Sequence, residues 1–358
     1  MNYTNLSNTG TSIHSKPSYS DPAAALPRHI LIGYWHNWQA QAADFIRLKD
    51  VSPNFDVVHV AFASSAKSGD GSMAFSPCSA TTESQFKSDI HFLQQLGKKV
   101  IISAGGLNGS ISIDNPVTEQ HFTNSMIDLI EEYGFDGVDI NLEGKVELDD
   151  DDIDFRNPTS LSVTHLISAI RKIRNNFGAD FILSMAPETI CVQGGYSAYG
   201  GIWGSYLPVI DNLRDILTYA NVQHYNSKSI SDSMVALDGK TYSQGTADFH
   251  VAMSEMLLQG FPINGNPGNV FPGLTPEQVA IGLPASSHIA DHGYTTPDNV
   301  QKTLNYLFTG QRFGGNYFLR HESGYPTFRG VMTWSINWDA ASYHRFSNTT
   351  RSYLDALP

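Results

Sequence analysis

The residues best suited to chemistry lie in one short segment, 135–143, which reads Phe-Asp-Gly-Val-Asp-Ile-Asn-Leu-Glu. Side chains alternate between the two faces of a β-strand, so Asp139, Asn141 and Glu143 would share one face, and the residues between them are apolar. Burying such a polar row is unfavourable by several kcal/mol unless the groups are hydrogen-bonded. The alternative is a solvated edge strand with a chance acidic face. We interpret the segment as a strand that does chemistry at its C-terminal end.

Glu143, at the end of this strand, has the features of a general acid. A glutamic acid held by polar neighbours can give a proton to a leaving oxygen. The like charge of Asp139 beneath it is expected to raise the pKa of Glu143. No second carboxylate is evident at the same height to act as a nucleophile. A glycosidase built in this way would have to take its nucleophile from the substrate.

The composition of the chain narrows the possible partners. It has 358 residues, of which 41% are hydrophobic, enough for one large core. The formal net charge of −13 argues against nucleic acid and anionic membranes, because both bind basic surfaces. A neutral or cationic polymer is the better expected ligand. No run approaches the roughly 18 apolar residues of a membrane span, so we expect a soluble chain.

The N-terminal segment and the cysteines predict little chemistry. Residues 1–28 are rich in Asn, Ser, Thr and Pro and are predicted to form a flexible leader, without the pattern of a signal peptide. Two cysteines, Cys78 and Cys191, are too few for a disulfide scaffold. Free thiols are the favoured state, and a disulfide between the two is the alternative. No histidine spacing matches a metal site, so neither a metal nor another cofactor is expected.

Eight short β-branched runs alternate with helical segments. The predicted strands are 30–34, 57–63, 99–104, 137–143, 181–185, 219–225, 279–284 and 330–335. Amphipathic helices are predicted at 86–96, 121–133, 161–177, 206–216, 247–258, 297–308 and 341–357. This alternation predicts an α/β fold, a (β/α)₈ TIM barrel that occupies 29–358 as a single domain.

Chemistry in such a barrel lies at the C-terminal ends of the strands. That end would carry Glu143 from strand four, together with four residues that close other strands, Tyr34, Met185, Tyr225 and Trp334. The connection at 285–329 has room for one helix and a loop. We therefore expect no sizeable α+β insertion domain, and a shallow, open groove that favours endo-type cleavage.

These strand ends resemble those of glycoside hydrolase family 18 chitinases along nearly the whole barrel. The family signature Asp-x-x-Asp-x-Asp-x-Glu is matched by Asp136, Asp139 and Glu143, with Asn141 in place of the third aspartate. A second signature, Ser-x-Gly-Gly, is matched at 103–106. Similar strand ends occur at 184–188, 223–226 and 332–335. Five matching strand ends in order make a coincidence improbable.

The resemblance implies hydrolysis of β-1,4-linked N-acetylglucosamine by a retaining, substrate-assisted mechanism. Glu143 would protonate the glycosidic oxygen while the acetamido oxygen of the sugar attacks the anomeric carbon and forms an oxazolinium ion. Tyr225 would bind the acetamido group, and Trp334 would form the floor under the sugar. The other implied substrate-binding residues are Gln223, Met185, Tyr34 and Asn226. Weaker candidates for neighbouring subsites, with a core role as the alternative, are Trp35, Trp38, Trp203 and Trp338.

Asn141 is the departure from the family pattern. The aspartate of the family accepts the acetamido N–H and offsets the positive charge of the oxazolinium, whereas asparagine is neutral. Losing one charge-assisted hydrogen bond at a developing cation costs on the order of 2–4 kcal/mol, or about 10²–10³ in rate. The sequence therefore predicts a slowed enzyme. The asparagine is either native or an engineered change that traps a substrate complex.

Two other functions remain open at this point. One is a chitin-binding lectin on the same barrel, although such binders typically lack the glutamate found here at Glu143. The other is an endo-β-N-acetylglucosaminidase that acts on N-glycans with the same chemistry. The expected partners are chitin and chito-oligosaccharides. We further expect an extracellular monomer.

Overall fold

The computed structural model describes residues 26–106, 109, 111–225, 232–290 and 292–357, and eight parallel strands close into a barrel. In chain order the strands are β1 (Ile30–His36), β2 (Val57–Ser65), β3 (Lys99–Gly105), β4 (Gly137–Asn141), β5 (Ile182–Met185), β6 (Tyr219–Gln223), β7 (Val279–Pro284) and β8 (Gly330–Trp334). Strand β1 pairs with both β2 and β8, which closes the barrel. The predicted fold class is confirmed.

Helices surround the strands. They are α1 (Glu83–Gln95), α2 (Pro116–Tyr133), α3 (Leu161–Phe177), α4 (Leu207–Asn212), α5 (Ala247–Gln259), α6 (Pro297–Thr309), α7 (Ile336–Ala341) and α8 (Arg345–Asp355). Short polar side chains accept hydrogen bonds from the first free amides of α1, α2 and α6, and these N-cap residues are Thr82, Asn115 and Thr296. Gly134 ends α2 in the left-handed conformation, with φ of 71°.

The structure corrects three details of the prediction. Strand β4 ends at Asn141, so Glu143 lies two residues beyond the strand and is not its last residue. Between β1 and β2 there is only a short 3₁₀ turn, Leu48–Asp50, instead of an α-helix. The predicted helix 341–357 is divided because Tyr343 and His344 both have positive φ, which an α-helix does not accommodate.

The apolar residues form two layers. The larger one lies between the strands and the surrounding helices, and the smaller one fills the barrel interior. Interior residues include Ile30, Ile32, Ile101, Ala280 and Met332, all nearly inaccessible to solvent. Because both faces of every strand are covered, the strands read as short apolar runs in the sequence. This packing supports the polar residues at the upper end of the barrel.

The connection from β7 to β8 includes α6 and, after it, an irregular segment, 310–329. Glu255 of α5 holds this segment in place through hydrogen bonds. Its carboxylate accepts hydrogen bonds from the hydroxyls of Tyr317 and Tyr325, at 2.7 and 2.9 Å, and from the amide of Arg320, at 2.7 Å. Described residues between 285 and 329 form no inserted domain, as predicted. The segment is held in place although it has no regular secondary structure.

Smaller features complete the description. Two short hairpins lie in the β6–β7 connection, Ser233–Val235 with Thr241–Ser243 and Gly260–Ile263 with Asn266–Pro272. Cys78 and Cys191 are both free thiols. Within the described part of the chain, no helix is both long enough and apolar enough to span a bilayer.

Candidate active site

Asp139 lies in the barrel interior, directly beneath the site. Its carboxylate accepts hydrogen bonds from three hydroxyl groups on three other strands. Tyr34 of β1 donates at 2.5 Å, and Ser103 of β3 and Ser184 of β5 each donate at 2.7 Å. All four side chains are buried. The hydroxyl donors therefore fix the carboxylate in one orientation.

These surroundings favour the ionised form of Asp139. Burial alone would raise the pKa of Asp139, but the charge of His59 and the hydrogen bonds from Tyr34 and Ser103 outweigh it and lower the pKa. The imidazole Nδ1 of His59 lies 3.6 Å from Asp139 Oδ2. Asp139 is thus a buried carboxylate that stays charged at neutral pH.

Glu143 and Asn141 lie above Asp139 and share one hydrogen-bond donor, the side chain of Gln223. The side-chain nitrogen of Gln223 lies 3.1 Å from Glu143 Oε1 and 3.2 Å from Asn141 Oδ1. It also donates to the carbonyl of Ala186 at 3.0 Å. Tyr206 supports the strand end from behind, since its hydroxyl accepts a hydrogen bond from the amide of Leu142 at 3.0 Å. The predicted residues Asn141, Glu143 and Gln223 are therefore brought together.

The pKa of Glu143 is raised to about 7. Burial is the main cause of the rise, and the like charges of Glu188 and, more weakly, Asp139 add to it, whereas the hydrogen bonds from Gln223 and Asn141 lower the pKa and offset only part of the rise. The sequence analysis attributed the rise to Asp139 and expected no second carboxylate near Glu143. Asp139 does raise this pKa, as expected, but Glu188, which follows β5, raises it more and is a second carboxylate near Glu143. A carboxyl group with a pKa near 7 can carry a proton at neutral pH and release it.

The Asn141 amide can serve Glu143 in two orientations. With its oxygen toward Gln223, it accepts the hydrogen bond described above. When the amide is rotated by a half turn, its nitrogen donates to Glu143 Oε1 at 3.1 Å and to the Ala186 carbonyl at 3.3 Å. The first orientation suits a protonated Glu143, which needs an acceptor, and the second suits the carboxylate. Asn141 therefore lies beside both protonation states of the acid.

Two glycines allow β3 and β4 to approach each other at the site. A Cβ atom on Gly105, whose φ is 117°, would lie 2.4 Å from the carbonyl oxygen of Asn141. The amide of Gly106 donates to that same oxygen at 2.7 Å. A Cβ on Gly106 would lie 2.7 Å from the ring of Phe62. The Ser-x-Gly-Gly segment thus supplies one donor to Asp139 and the space that the strand end needs.

Comparisons with known proteins agree with this arrangement. Residues 30–345 match the model for "Glycosyl hydrolases family 18". The chain belongs to this family. It is 51% identical over 328 residues to Chitinase Chi52 of Paenibacillus xylanexedens, covering 91% of this chain and 62% of that protein. It is 49% identical over 351 residues to Chitinase D of Niallia circulans, covering 98% of this chain and 66% of that protein.

A solved structure is similar over nearly the whole chain. It is a family GH18 chitinase from Chromobacterium violaceum, with a TM-score of 0.83 and 38% identity, covering 95% of this chain and 91% of that one. This likeness agrees with the closed barrel described above. The chain spans less than two thirds of the length of the two curated relatives, at 62% and 66%.

Aromatic rings line the mouth of this family 18 barrel. Trp334, at the end of β8, stacks on Phe62 with centroids 5.7 Å apart and an angle of 15°. Trp38 lies 6.1 Å from Trp334 and is 38% exposed, which makes it accessible to a ligand. Trp35 is fully buried in the core, whereas Trp203 and Trp338 pack against the core and are partly buried. Of the four weaker candidates, Trp38 alone lies beside Trp334.

Other predicted residues occupy different positions. Tyr225 is buried, and its pKa is raised by burial first and then by Glu143 and Glu188, so it lies near the acid. The side chain of Met185 is fully buried in the outer core, on the opposite face of β5 from Ser184, away from the site. Asn226 lies outside the described residues. Asp136 lies at the start of β4 and accepts from the Val100 amide at 2.8 Å.

Sequence reasoning missed several residues that the fold brings to the site. They are His59, Phe62, Glu188 and Tyr206. The alternation of faces along the predicted strand 57–63 could have indicated His59, whereas Phe62 packs on the inner side only because the register shifts between Ala61 and Ala63. Among the described residues, no cluster of three or more His, Cys, Asp and Glu side chains is arranged to hold a metal ion.

Proposed function

We propose that the chain is a chitinase that cleaves β-1,4-linked N-acetylglucosamine polymers and oligomers with retention of configuration. The observation that carries this proposal is Glu143, whose pKa of about 7 and contact with Gln223 suit a general acid. The buried amide of Asn141 beside it can bind the acetamido group of a substrate. Support also comes from the relatives named as chitinases.

In the proposed reaction, Glu143 donates its proton to the glycosidic oxygen as the bond from that oxygen to the anomeric carbon breaks. The acetamido oxygen of the same sugar forms a bond to the anomeric carbon from the other face. The resulting oxazolinium carries the positive charge. Glu143, now a carboxylate, takes a proton from water as that water opens the ring, and the acid is restored.

Asp139, Asn141 and Tyr225 stabilise the charge in this proposal. Asp139 supplies a fixed negative charge below the site, while the Asn141 amide and the Tyr225 hydroxyl orient the acetamido group. The neutral amide offsets less charge than a carboxylate would, so we propose a slow enzyme. Trp334 and Tyr34 close the pocket under the sugar ring, whose C–H groups suit an aromatic surface.

Glu188 is the carboxylate that could compete with the substrate as nucleophile. A nucleophile has to reach the anomeric carbon from the face opposite the acid. Glu188 lies at the end of β5, paired through its backbone with Gln223, which itself holds Glu143. We propose that Glu188 acts through its charge on Glu143. The acetamido group then remains the nucleophile.

The experiment that tests the proposal compares chitin hexasaccharide with the same oligomer after complete de-N-acetylation. Cleavage of the acetylated substrate alone, with the β-anomer formed first in proton NMR spectra, is expected. Cleavage of both would show that the acetamido group is not required. Binding without turnover would favour the lectin, and release of glycans from a glycoprotein, but not of sugars from chitin, would favour the endo-β-N-acetylglucosaminidase.

Other parts of the proposal concern the whole protein. The lack of an inserted domain among the described residues of 285–329 supports endo-type cleavage of accessible chains. Cleavage in the middle of a long oligomer, seen by mass spectrometry, tests this. A barrel domain over 29–358, a monomeric state and an extracellular location remain predictions, and most of the predicted leader, 1–25, lies outside the described residues. Light scattering tests the monomeric state, and fractionation of the source cells tests the location.

A further inference from the structure

A fully buried histidine lies beneath the site and takes no part in the proposed reaction. His59 of β2 faces Asp139, with its Nδ1 3.6 Å from Oδ2. On the other side of the ring, Nε2 lies 3.0 Å from the hydroxyl of Tyr219. The ring also meets the edge of Tyr34 at a centroid distance of 4.7 Å. His59 is thus held between Asp139 and β6.

The charge of Asp139 requires a partner in this environment. A buried carboxylate is unstable unless it is hydrogen-bonded and its charge is offset. Among the described residues, no Lys or Arg side chain forms an ion pair with Asp139, whereas His59 does when it is protonated. The amide of Asn141 cannot exchange a proton with Asp139. His59 is the group placed to offset the charge.

We propose that His59 is a positioning residue, which holds Asp139 ionised and in place beneath Glu143 without touching the substrate. The role rests on the proposed function, because Asp139 matters through the reaction at Glu143. The titratable groups around the pair are Tyr34 from β1, Tyr219 from β6, Glu143 above Asp139, and the buried hydroxyls of Tyr206 and Tyr225.

The energetics of Asp139 agree with this role. The charge of His59 is the largest influence that lowers the pKa of Asp139 against the effect of burial. Without His59, three hydroxyl donors would remain, and a larger fraction of Asp139 would be protonated in mild acid. A protonated Asp139 would need an acceptor of its own and would lose the charge that it places below the reacting sugar. The activity in acid should therefore depend on His59.

The test is the pH profile of kcat and KM on chitin hexasaccharide for His59→Gln. We expect kcat to fall, and to fall at least about tenfold further at pH 4 than at pH 7, one pH unit being a tenfold change in protonation. KM should change little, because His59 does not line the cleft. The control is His29→Gln, a buried histidine at the start of β1 that binds the Phe328 carbonyl. A profile for His59→Gln parallel to that of the parent would overturn the proposal.

A second experiment measures stability and does not depend on enzymatic activity. Urea unfolding at pH 7 and pH 4 should show that His59→Gln is less stable than the parent at pH 7, where Asp139 is charged, and that this difference becomes smaller at pH 4, because Asp139 takes up a proton more readily without His59. In the Asp139→Asn background the same substitution should have no such effect, and an equal effect there would contradict the pairing. If the parent cleaves no chitin, the proposed function fails, and this experiment alone decides the role of His59. If His59→Gln does not fold, Tyr219→Phe replaces it, with a smaller loss in the same direction expected.

Discussion

Asp139 and Glu143 lie four residues apart on one strand end, yet their surroundings give them opposite properties. Three hydroxyl donors and His59 surround Asp139 and lower its pKa. Glu143 has one shared amide donor and a like charge nearby, and its pKa rises to about 7. Asp139 is fully buried and Glu143 is partly buried. The number and charge of the neighbours, more than burial itself, decide which carboxyl group can act as an acid.

Removing the proposed general acid, Glu143, should have the largest effect on activity. Glu143→Gln keeps the shape and the contact with Gln223 but holds no transferable proton. We expect kcat on chitin hexasaccharide to fall by about 10²–10⁴ while binding persists. Initial rates measure kcat, and isothermal calorimetry measures binding. Glu147→Gln, at an exposed position in the following loop, is the control, and a comparable loss there would mean that Glu143 has no special role.

Replacing Asn141, which lies between Asp139 and Glu143, by aspartate should have the next largest effect on activity. Asn141→Asp places a negative charge next to the developing oxazolinium, and we expect turnover to rise by about 10²–10³. The new carboxylate lies beside Glu143, so the pH at which activity is lost on the alkaline side should also rise. Steady-state rates from pH 5 to 9 provide both values. Equal rates for the two proteins would show that position 141 needs no charge.

For Asp139, beneath the site, the expected effect is on stability. Asp139 has a lowered pKa in the folded state, so its contribution is present above the unfolded pKa of about 4 and is lost as the pH falls. Asp139→Asn should reduce the free energy of unfolding at pH 7 by about 1–3 kcal/mol and flatten its decline in acid. Urea unfolding at pH 7 and pH 3 measures this.

Asp136 on the same strand provides the matched control. Burial raises its pKa despite hydrogen bonds to Val100 and Gln94, so its contribution to stability is lost as the pH rises. Asp136→Asn should therefore change the pH dependence in the opposite sense to Asp139→Asn. The same sign for both variants would show that hydrogen-bond donors do not separate these two carboxylates.

The smallest expected effect comes from Glu188. Its charge raises the pKa of Glu143, so Glu188→Gln should lower that pKa, and activity should be lost at lower pH on the alkaline side. The rate on the acid side should change little. A pH-rate profile is sufficient to measure this. If the variant is as inactive as Glu143→Gln, Glu188 is the nucleophile and the acetamido mechanism is wrong.

Much of the barrel was predictable because its strands are covered on both faces and its helices carry clear apolar stripes. The same alternation predicted that Asp139, Asn141 and Glu143 share a face. Asp136, three residues before Asp139, falls on the other face by that rule, and it indeed accepts a hydrogen bond from Gln94 of α1, outside the barrel, at 3.0 Å. Here a local pattern was sufficient.

The remaining details depend on contacts between distant parts of the chain. Glu188 influences Glu143 from another strand, and Gln223 reaches both Glu143 and Asn141 across the barrel. No spacing in the sequence encodes such distances. The break between α7 and α8 was also missed, because Asp339 stabilises it by accepting from the amides of Phe346 and Ser347. Local propensity alone favours one continuous helix there.

The carboxylate of Glu255 has a consequence for hydrogen exchange in the segment 310–329. Loop amides usually exchange quickly because transient opening exposes them to water. The amides of Arg320 and His321 both donate to Glu255 Oε1, at 2.7 and 3.3 Å, and that residue is buried in α5. Their exchange therefore requires α5 and the segment to separate. These two loop amides should be protected as strongly as those of a helix, and their exchange would report the separation of the segment from α5.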